Sequence, residues 1–434
     1  MKKSIVRKGI VLGIIVLFVG ASVLPSMGGT IVEKQISKEN KTSFMGFNPH
    51  GTTWYVGGSG PNNYSTIQEG INAASDGDTV FVYDDSSPYY ENIEVYKSIN
   101  LIGENRDTTI IDGGGSGDVV NITVDLVYIS GFTIQNSGNG GYPYYYAGID
   151  IRSISNTITG NTIISNNGYG IRLYYSNGNT ITGNTIISNN DDGIILKGSK
   201  NNNITGNTII SDNVCGISLY YSSSNTIIGN NITNNAFGML LWGRSNTVTG
   251  NNISSNDFGG IWLLYASSNT VKENIITSNN RYGIYLSSES SRNIITGNTI
   301  SNNDDGISLR YLSHRNIITG NIISNNVCGI NLSSSFNDIL KNNFLNNERH
   351  AFFSSSFSFN LKNNSNNNER RVFLYIAFRN HWLRNYWEGD KSLPVRINGM
   401  QSFYITDRLD DIIWEHHIPW INFDYLPAQE PYAI

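Results

Sequence analysis

Apolar residues recur with a fixed period along the middle of the chain. Between Tyr169 and Leu332, a glycine followed by an aliphatic residue, a variable residue and Leu returns every 22 or 23 residues. The positions one and three places after each glycine are apolar in every copy, and this alternation places both side chains on one face of a β-strand. Two more short apolar runs follow in each period. The pattern predicts three short strands per repeat.

A repeat of this length is typical of a protein built from stacked coils. The strands are too short for hairpins. Asn or Asn-Asn separates them at about three places per coil, where Asn tolerates left-handed backbone and stacked amides can form ladders. We therefore predict an all-β fold, a right-handed single-stranded parallel β-helix of about twelve coils, with the hand given by the crossover rule for parallel strands.

The segments on either side of the repeats predict the domain organisation. A basic start and an apolar run before Gly28 predict a cleaved secretory signal at 1–28, with an uncleaved membrane anchor as the alternative. After it we predict a linker at 29–52, a cap helix with irregular early coils at 53–147, regular repeats at 148–343, degenerate coils at 344–380 and an aromatic C-terminal cap at 381–434. The protein is thus expected to be exported, to the cell surface or medium, or to the periplasm where the cell has an outer membrane.

The early coils have weaker patterns. Thr66 and Glu69 have capping-box spacing, and Ile67, Ile71 and Ala74 fall on one helical face, which predicts a short N-terminal helix. A helix over the first coil protects it from edge pairing. Candidate strands before the regular repeats are Thr79–Tyr83, Ile93–Val95, Ile99–Ile102, Thr109–Ile111, Val119–Ile122 and Val127–Ile134.

The charge content limits the classes of partner, and the spacing of the two cysteines decides whether they can form a disulfide. Charged residues make up 15% of the chain and the net charge is −5, which argues against nucleic acid as a partner. Membrane contact is expected only if the N-terminal segment remains as an anchor. Cys215 and Cys328 lie five coils apart, roughly 24 Å at the strand spacing, so we predict two free thiols.

Two acidic pairs, Asp191-Asp192 and Asp304-Asp305, are the candidate catalytic residues. Glycoside hydrolysis requires two carboxyl groups about 5–10 Å apart, which one pair can provide. The same pairs could bind a cation such as Ca²⁺. However, a 113-residue offset, equal to five coils, relates the pairs. Copying of a polar turn by internal duplication is therefore the competing interpretation.

Aromatic side chains recur at the outward positions two and four places after the glycines. These candidate ligand-binding residues are Tyr174, Tyr220, Trp242, Trp262 and Tyr285. Flat rings on a long wall can stack on sugar rings. The competing interpretation is the ordinary preference of aromatic residues for exposed strands.

Three histidines near the C-terminus are the candidate metal ligands. His381, His416 and His417 could bind Cu or Zn through imidazole nitrogens. Adjacent histidines on an extended segment point to opposite faces, so at most one of His416 and His417 serves a given site. A packed cap is the competing interpretation.

Several segments resemble the NosD-type right-handed parallel β-helix proteins. The resemblance is carried by the stretches 66–82, 90–93, 97–103 and 110–113, by the Asn-Gly-Ile repeats, and by 385–387 and 419–432 near the end. It implies the β-helix fold over roughly 53–434 and membership of a wider group that contains carbohydrate-binding proteins and sugar hydrolases. The family name, periplasmic copper-binding protein, implies possible copper handling.

These observations favour a secreted or cell-surface β-helix that binds polysaccharide or neighbouring surface proteins and requires no cofactor. A polysaccharide lyase or glycoside hydrolase on the same fold is the first alternative, and a NosD-like copper accessory is the second. An enzyme should bring Asp, Arg, Lys or His from adjacent coils together within about 5–10 Å. A binding protein should show an aromatic column, and a metal protein should bring His381 to His416 or His417.

Overall fold

The chain forms a solenoid whose strands stack in parallel around three faces. The computed structural model describes residues 51–141, 145–211, 214–360, 380–388, 395–406, 412–424 and 427–432, with only the backbone described at 355–360, 395–406 and 412–424. The predicted signal at 1–28 and the linker up to residue 50 lie outside the described residues. Among the described residues, no helix is long and apolar enough to cross a membrane.

Each coil gives one strand to each of three sheets, which we name A, B and C. Sheet A contains Thr53–Val56, Thr79–Val82, Asn100–Gly103, Tyr128–Ser130, Thr157–Thr159, Thr180–Thr182, Asn203–Thr205, Thr226–Ile228, Thr247–Thr249, Thr270–Lys272, Ile294–Thr296, Ile317–Thr319, Asp338–Leu340 and His381–Leu383. Sheet B contains Tyr89–Tyr90, Ile110–Asp112, Thr133–Gln135, Thr162–Ile164, Thr185–Ile187, Thr208–Ile210, Asn231–Thr233, Asn252–Ser254, Ile275–Thr277, Thr299–Ser301, Ile322–Ser324, Asn343–Leu345 and Tyr386–Trp387. Sheet C contains Ile93–Val95, Val120–Ile122, Ala147–Ile151, Tyr169–Tyr174, Ile194–Lys197, Cys215–Ser223, Phe237–Arg244, Gly259–Leu264, Tyr282–Ser287, Asp305–Leu309, Cys328–Leu332, Arg349–Asn360, Val395–Thr406 and Ile412–Asp424.

Aliphatic columns fill the interior, as the sequence pattern predicts. In sheet C, Ile171 pairs with Ile194, which pairs with Ile217, and all three side chains are fully buried. In-register stacking is forced because a one-residue slip would turn a column from the core to the solvent. The prediction of a right-handed parallel β-helix is confirmed, with about 13 turns rather than the predicted twelve.

Asparagine ladders run along the corners of the solenoid. In one ladder the Nδ2 of Asn207 donates to Oδ1 of Asn230 at 3.0 Å, and Asn230 donates to Oδ1 of Asn251 at 2.9 Å. The ladders are those predicted, but the left-handed backbone is not at the ladder residues. It lies at the residue before, for example Gly229 and Asn234 with φ of 61° and 59°. The ladder Asn therefore points into the corner, where its amide replaces a strand hydrogen bond.

A short helix covers the first strand of sheet C. It spans Ile67–Ala73, begins with a capping box between Thr66 and Glu69, and buries Ile67 and Ile71. The backbone of Glu94, in the edge strand, exchanges two hydrogen bonds with the Gln68 side-chain amide at 2.8 and 3.3 Å. This side chain occupies backbone groups that would otherwise form an open sheet edge.

The ends of the solenoid differ in detail from the predicted boundaries. The predicted single strand Val127–Ile134 is two strands, because Gly131 turns the chain between sheets A and B with φ of 83°. Sheets A and B continue through Trp387, whose ring stacks on Phe344 at 4.4 Å inside the core. Beyond this coil, Val395–Thr406 and Ile412–Asp424 pair antiparallel at the edge of sheet C.

The two cysteines are free and buried, as predicted. Both lie on the outer side of sheet C, five coils apart. Burial raises the pKa of the Cys328 thiol to about 12 and raises that of Cys215 as well. Both thiols are therefore protonated at neutral pH.

Candidate functional site

Three columns of side chains face outward from sheet C, and we name this surface the outer wall. The sequence predicts two of them, at the positions two and four places after each glycine. The third arises because the glycine and the next residue both face inward: a Cβ on Gly170 would lie 2.9 Å from the core atom Ile186 Cγ2. The residue before the glycine is thereby turned outward. Tyr169, Asp192 and Cys215 thus share a face with the predicted columns.

A buried ion-pair network lies at the N-terminal end of the outer wall. Arg172 Nε donates to Asp150 Oδ1 at 2.7 Å, and its Nη2 lies 3.4 Å from Asp118 Oδ2. Its Nη1 donates to the carbonyl of Tyr145. Arg152 reaches the same Asp150 carboxylate at 2.7 Å, from a position half exposed to solvent. Three successive coils thus bring four charged groups together.

A cavity of about 480 Å³ opens above this network. It is lined by three tyrosines and four charged residues, namely Tyr145, Tyr146, Tyr174, Asp118, Arg152, Arg172 and Lys197. The Lys197 amine donates to the Tyr169 hydroxyl at 3.0 Å. We name this site the Arg172 pocket. Its polar groups surround a space large enough for a sugar ring.

Burial shifts the ionisation of the groups in and beside the pocket. It raises the pKa of Asp118 and of Tyr169, and lowers the pKa of Lys197, where the Arg172 charge adds to the effect. Burial also raises the pKa of Asp192 to about 7, and the Asp191 carboxylate adds to that rise. The pKa values of Asp118, Lys197 and Asp192 are thus shifted towards neutrality, whereas that of Tyr169 is shifted away from it.

Aromatic rings continue the outer wall beyond the pocket. The column four places after each repeat glycine contains, in register on successive coils, Tyr174, Lys197, Tyr220 and Trp242. The rings of Tyr220 and Trp242 lie 4.8 Å apart at 69°, an edge-to-face contact. Tyr174 lies 6.0 Å from the guanidinium of Arg152. These predicted residues form a partly exposed aromatic strip.

Trp262 and Tyr285 belong to a second, denser cluster at position two. Their rings lie 4.8 Å apart, and Tyr285 stacks on Tyr282 at 4.7 Å. The Phe237 ring lies 4.7 Å from that of Trp262. Tyr285 is only 8% exposed because the Trp262 and Tyr282 rings pack against it. It supports the wall more than it forms the surface.

The acidic pairs occupy different surroundings. Asp192 is almost fully buried and accepts a hydrogen bond from the backbone N–H of Cys215 at 3.0 Å. Asp305 accepts one from Asn331 Nδ2 at 3.0 Å and lies 3.7 Å from Arg310. Asp304 lines a separate, Asn-rich cavity of about 580 Å³. Only Asp191-Asp192 lies next to the Arg172 pocket, through its electrostatic contacts with Tyr169 and Lys197.

The candidate metal ligands, His381, His416 and His417, give little evidence for a metal site. His381 lies in sheet A, with its Nδ1 3.4 Å from an Asp338 carboxylate oxygen. His416 and His417 lie in the last strand of sheet C, opposite Phe403 and Ser402, and their side chains are outside the described part. Among the described residues, no group of three or more His, Cys, Asp or Glu side chains is placed to hold a metal ion.

Sequence reasoning did not find the convergence of Asp118, Asp150, Tyr169 and Arg172. Asp118 and Arg172 are 54 residues apart and come from different coils. The signal that could have pointed to it is the combination of an outward Asp, Arg and Lys on three successive coils beside the irregular tyrosine-rich segment before Ala147.

The raised pKa of Asp192 predicts a pH-dependent stability. Because its folded-state pKa of about 7 lies above the usual aspartate value of 3.8, the folded protein holds this proton more tightly, and the resulting stabilisation falls as pH rises between these values. Asp192→Asn should therefore gain stability over the parent by about 2–4 kcal/mol at pH 8 and by little at pH 4. Thermal melting across this range measures the difference. The exposed Asp107→Asn is the control, and a difference that stays constant with pH would contradict the prediction.

Comparisons with known proteins agree with the fold. The family model described as periplasmic copper-binding protein (NosD) matches residues 71–258 and 237–390. The A-module of the Azotobacter vinelandii mannuronan C-5 epimerase AlgE6 superposes with a TM-score of 0.57 at 15% identity, covering 66% of this chain and 90% of that chain. The AlgE4 A-module from the same organism gives 0.57 at 16% identity, covering 66% and 92%. Gene product 12 of bacteriophage phi29 gives 0.51 at 13% identity, covering 68% and 50%. No curated protein sequence matches the chain.

Proposed function

The chain belongs to the periplasmic copper-binding protein (NosD) family, and from this premise we propose that it is an exported β-helix protein that binds polysaccharide along the outer wall. The observation that carries the proposal is the continuity of the wall. The Arg172 pocket passes directly into the strip of Tyr174, Tyr220 and Trp242, all on the same face of sheet C.

The chemistry of the wall suits a carbohydrate. Aromatic rings present flat apolar faces to the C–H groups of sugar rings, while neighbouring Lys and Arg side chains supply hydrogen-bond donors. Aromatic residues held by packing lose little side-chain entropy on binding. Two proteins with a similar fold are named for mannuronan, a polysaccharide. This supports polysaccharide rather than a protein surface as the ligand class.

A glycan array with the purified protein tests the proposal. We expect polysaccharide binding that weakens at least tenfold in the double variant Tyr220→Ala/Trp242→Ala, because two ring contacts are lost. Tyr90→Ala is the matched control, since this exposed tyrosine lies in sheet B, away from the wall. Circular dichroism verifies that each variant is folded. Full binding by the double variant, or no binding to any glycan, would contradict the proposal.

A polysaccharide lyase or epimerase is the second candidate, and the Arg172 pocket is the observation that favours it. Four adjacent coils bring Asp, Arg, Lys and Tyr together there, which is the convergence expected of an enzyme. Against this, Arg172 is fully engaged by Asp150, Asp118 and Tyr145. Burial raises the pKa of Tyr169, so its hydroxyl stays protonated at neutral pH and does not accept a proton as a general base would. Analysis of the bound glycans for new unsaturated ends or epimerised residues, lost in Lys197→Met, would establish catalysis.

Copper handling is the function that the described residues support least. Copper sites use clustered imidazole and thiol or thioether ligands. Within the described ranges His381 has one carboxylate neighbour, and the cysteines are single buried thiols. The residues of the described part do not fit a copper centre.

A further inference from the structure

Exposed tyrosines occupy every second corner at the edge of the outer wall. They comprise Tyr175, Tyr265 and Tyr311, each just after a sheet C strand, and Tyr221, at the register shift within the strand Cys215–Ser223. All four are more than half exposed. Each lies two coils from the next, so one coil intervenes between neighbouring tyrosines. We name them the corner tyrosines.

The intervening coils have a small residue at this corner or none. The coil after Tyr175 has Gly198, and a Cβ there would lie 2.6 Å from the Tyr175 ring. The coil after Tyr221 has no corner residue, because the register shifts and Ser222 pairs directly with Gly243. The coil after Tyr265 has Ser288. No intervening coil therefore places a bulky residue at the corner position aligned with these tyrosines.

Duplication does not explain the alternation. The internal duplication has an offset of 113 residues, which is five coils. Because five is an odd number, copying a corner tyrosine would place the copy in one of the intervening coils. Tyr175, Gly198 and Tyr221 lie 113 residues before Ser288, Tyr311 and Ser334, and the residue type differs in every pair. The two-coil spacing of the tyrosines is thus not a consequence of the internal duplication.

The backbone at the corner tyrosines is unusual as well. Their φ angles are 51°, 50°, 48° and 48°, in the left-handed region that bulky residues rarely adopt. Glycine fits this corner without strain, as Gly198 shows with φ of 62°. Strained residues of this kind are retained where the side chain has a use.

Neighbouring rings hold three of the four corner tyrosines in place. Tyr175 packs edge-to-face on Tyr174 at 4.7 Å, and Tyr221 packs on Tyr220 at 4.6 Å. Trp242 lies between two of them, 4.9 Å from Tyr221 and 5.2 Å from Tyr265. The rings of Tyr175, Tyr221 and Tyr265 are therefore oriented before any ligand arrives, which reduces the entropy lost on binding.

The spacing matches one class of glycan. Two coils span about 10 Å at the usual strand spacing. An extended β-1,4-linked chain repeats over a similar length, because successive rings are turned by half a revolution and every second ring presents the same face. We propose that the outer wall binds an extended β-1,4-linked glycan parallel to the solenoid axis, with alternate sugar rings on the corner tyrosines. This inference rests on the proposed polysaccharide-binding function.

The length of the column makes the inference quantitative. Four tyrosines on alternate rings contact rings one, three, five and seven of a bound chain. Affinity should therefore increase with chain length up to about seven rings, a span of about 30 Å at the strand spacing, and then stop increasing. Each contact should contribute about three- to tenfold in affinity, in line with the interaction energy of aromatic pairs.

Titration calorimetry with the purified protein tests this, using cello-, chito- and mannuronan oligosaccharides of two to nine rings, and malto-oligosaccharides as the α-1,4-linked comparison. The variant changes all four corner tyrosines to Gly, the residue that the chain itself uses at position 198, so the corners remain folded. We expect the parent to prefer at least one β-1,4-linked series over the malto series, and the variant to lose about 100-fold or more in affinity. Tyr90→Gly, at an exposed site in sheet B, should bind like the parent.

The outcomes separate this inference from the function on which it rests. If the protein binds a glycan but the corner variant keeps its affinity while Tyr220→Ala/Trp242→Ala loses it, polysaccharide binding stands and the corner inference is wrong. Equal or stronger binding of the malto series would also overturn the inference. If no glycan binds, the proposed function itself fails.

Discussion

Replacing Asn230 with Ala is expected to lower the free energy of unfolding by about 4 kcal/mol. The Asn230 carboxamide is almost fully buried in a corner ladder. Its Oδ1 accepts hydrogen bonds from the backbone N–H and the Nδ2 of Asn207, at 2.9 and 3.0 Å. Its Nδ2 donates to the carbonyl of Ile204 and to Asn251 Oδ1, both at 2.9 Å. Each buried group left without a partner costs about 1–3 kcal/mol, and alanine leaves several.

Urea denaturation followed by circular dichroism measures this loss. Asn231→Ala is the matched control, because this neighbouring side chain lies on the outside and its one described hydrogen bond, from Asn252, is solvent-exposed. That variant should lose less than about 1 kcal/mol, as expected for a surface substitution. Equal effects of the two substitutions would show that the ladder contributes nothing beyond the propensity of Asn for the corner.

Arg172→Met is expected to destabilise the protein by about 3–5 kcal/mol, the cost of removing one partner from a buried ion pair. Arg172 is 12% exposed, and the Asp150 carboxylate beneath it is fully buried. Without the guanidinium, Asp118 loses the charge that opposes the burial-driven rise in its pKa. The carbonyl of Tyr145 also loses its donor. Both effects loosen the wall of the Arg172 pocket.

Arg152→Met is the control, because it contacts the same Asp150 carboxylate from a half-exposed position. Exposed pairs contribute about 0–1 kcal/mol, so this variant should remain close to the parent. Arg172→Met/Asp150→Asn should recover part of the lost stability, since it removes the unpaired buried charge. Thermal melting of the four proteins decides the matter. Equal losses in Arg172→Met and Arg152→Met would show that burial does not set the strength of this network.

The outer wall shows how far sequence periodicity reaches. The alternation around Leu173 correctly predicts which side chains face inward, because period two is a property of any strand. It did not predict that Tyr169 faces outward beside Arg172. The glycine between Tyr169 and Ile171 breaks the alternation, and only the stacked backbone shows on which side the extra residue lies.

At the corners, too, the sequence predicted the turns but not their backbone conformation in detail. The Asn residues between the strand segments correctly predicted where the coils bend and that Asn ladders form. The sequence interpretation assigned left-handed backbone to Asn. The structure places it at the residue before each ladder Asn, which is another Asn in some corners, as at Asn201 before Asn202, and glycine in others, as at Gly229 before Asn230. The reason is the ladder, since a stacked amide must point into the corner to reach the carboxamide of the next coil.

By itself the sequence determined the architecture of this protein. A strict 22- or 23-residue period, with aliphatic pairs such as Ile217 and Leu219 in every copy, has one stable solution, because each coil can bury its apolar face only against identical neighbours. The tertiary structure alone decided the surface. The pairing of Arg172 with Asp118 and the two-coil column from Tyr175 to Tyr311 depend on which corners contain an extra residue and how each coil stacks on the next. Contacts between coils are set by register along the solenoid axis, and a linear pattern within one coil does not contain that information.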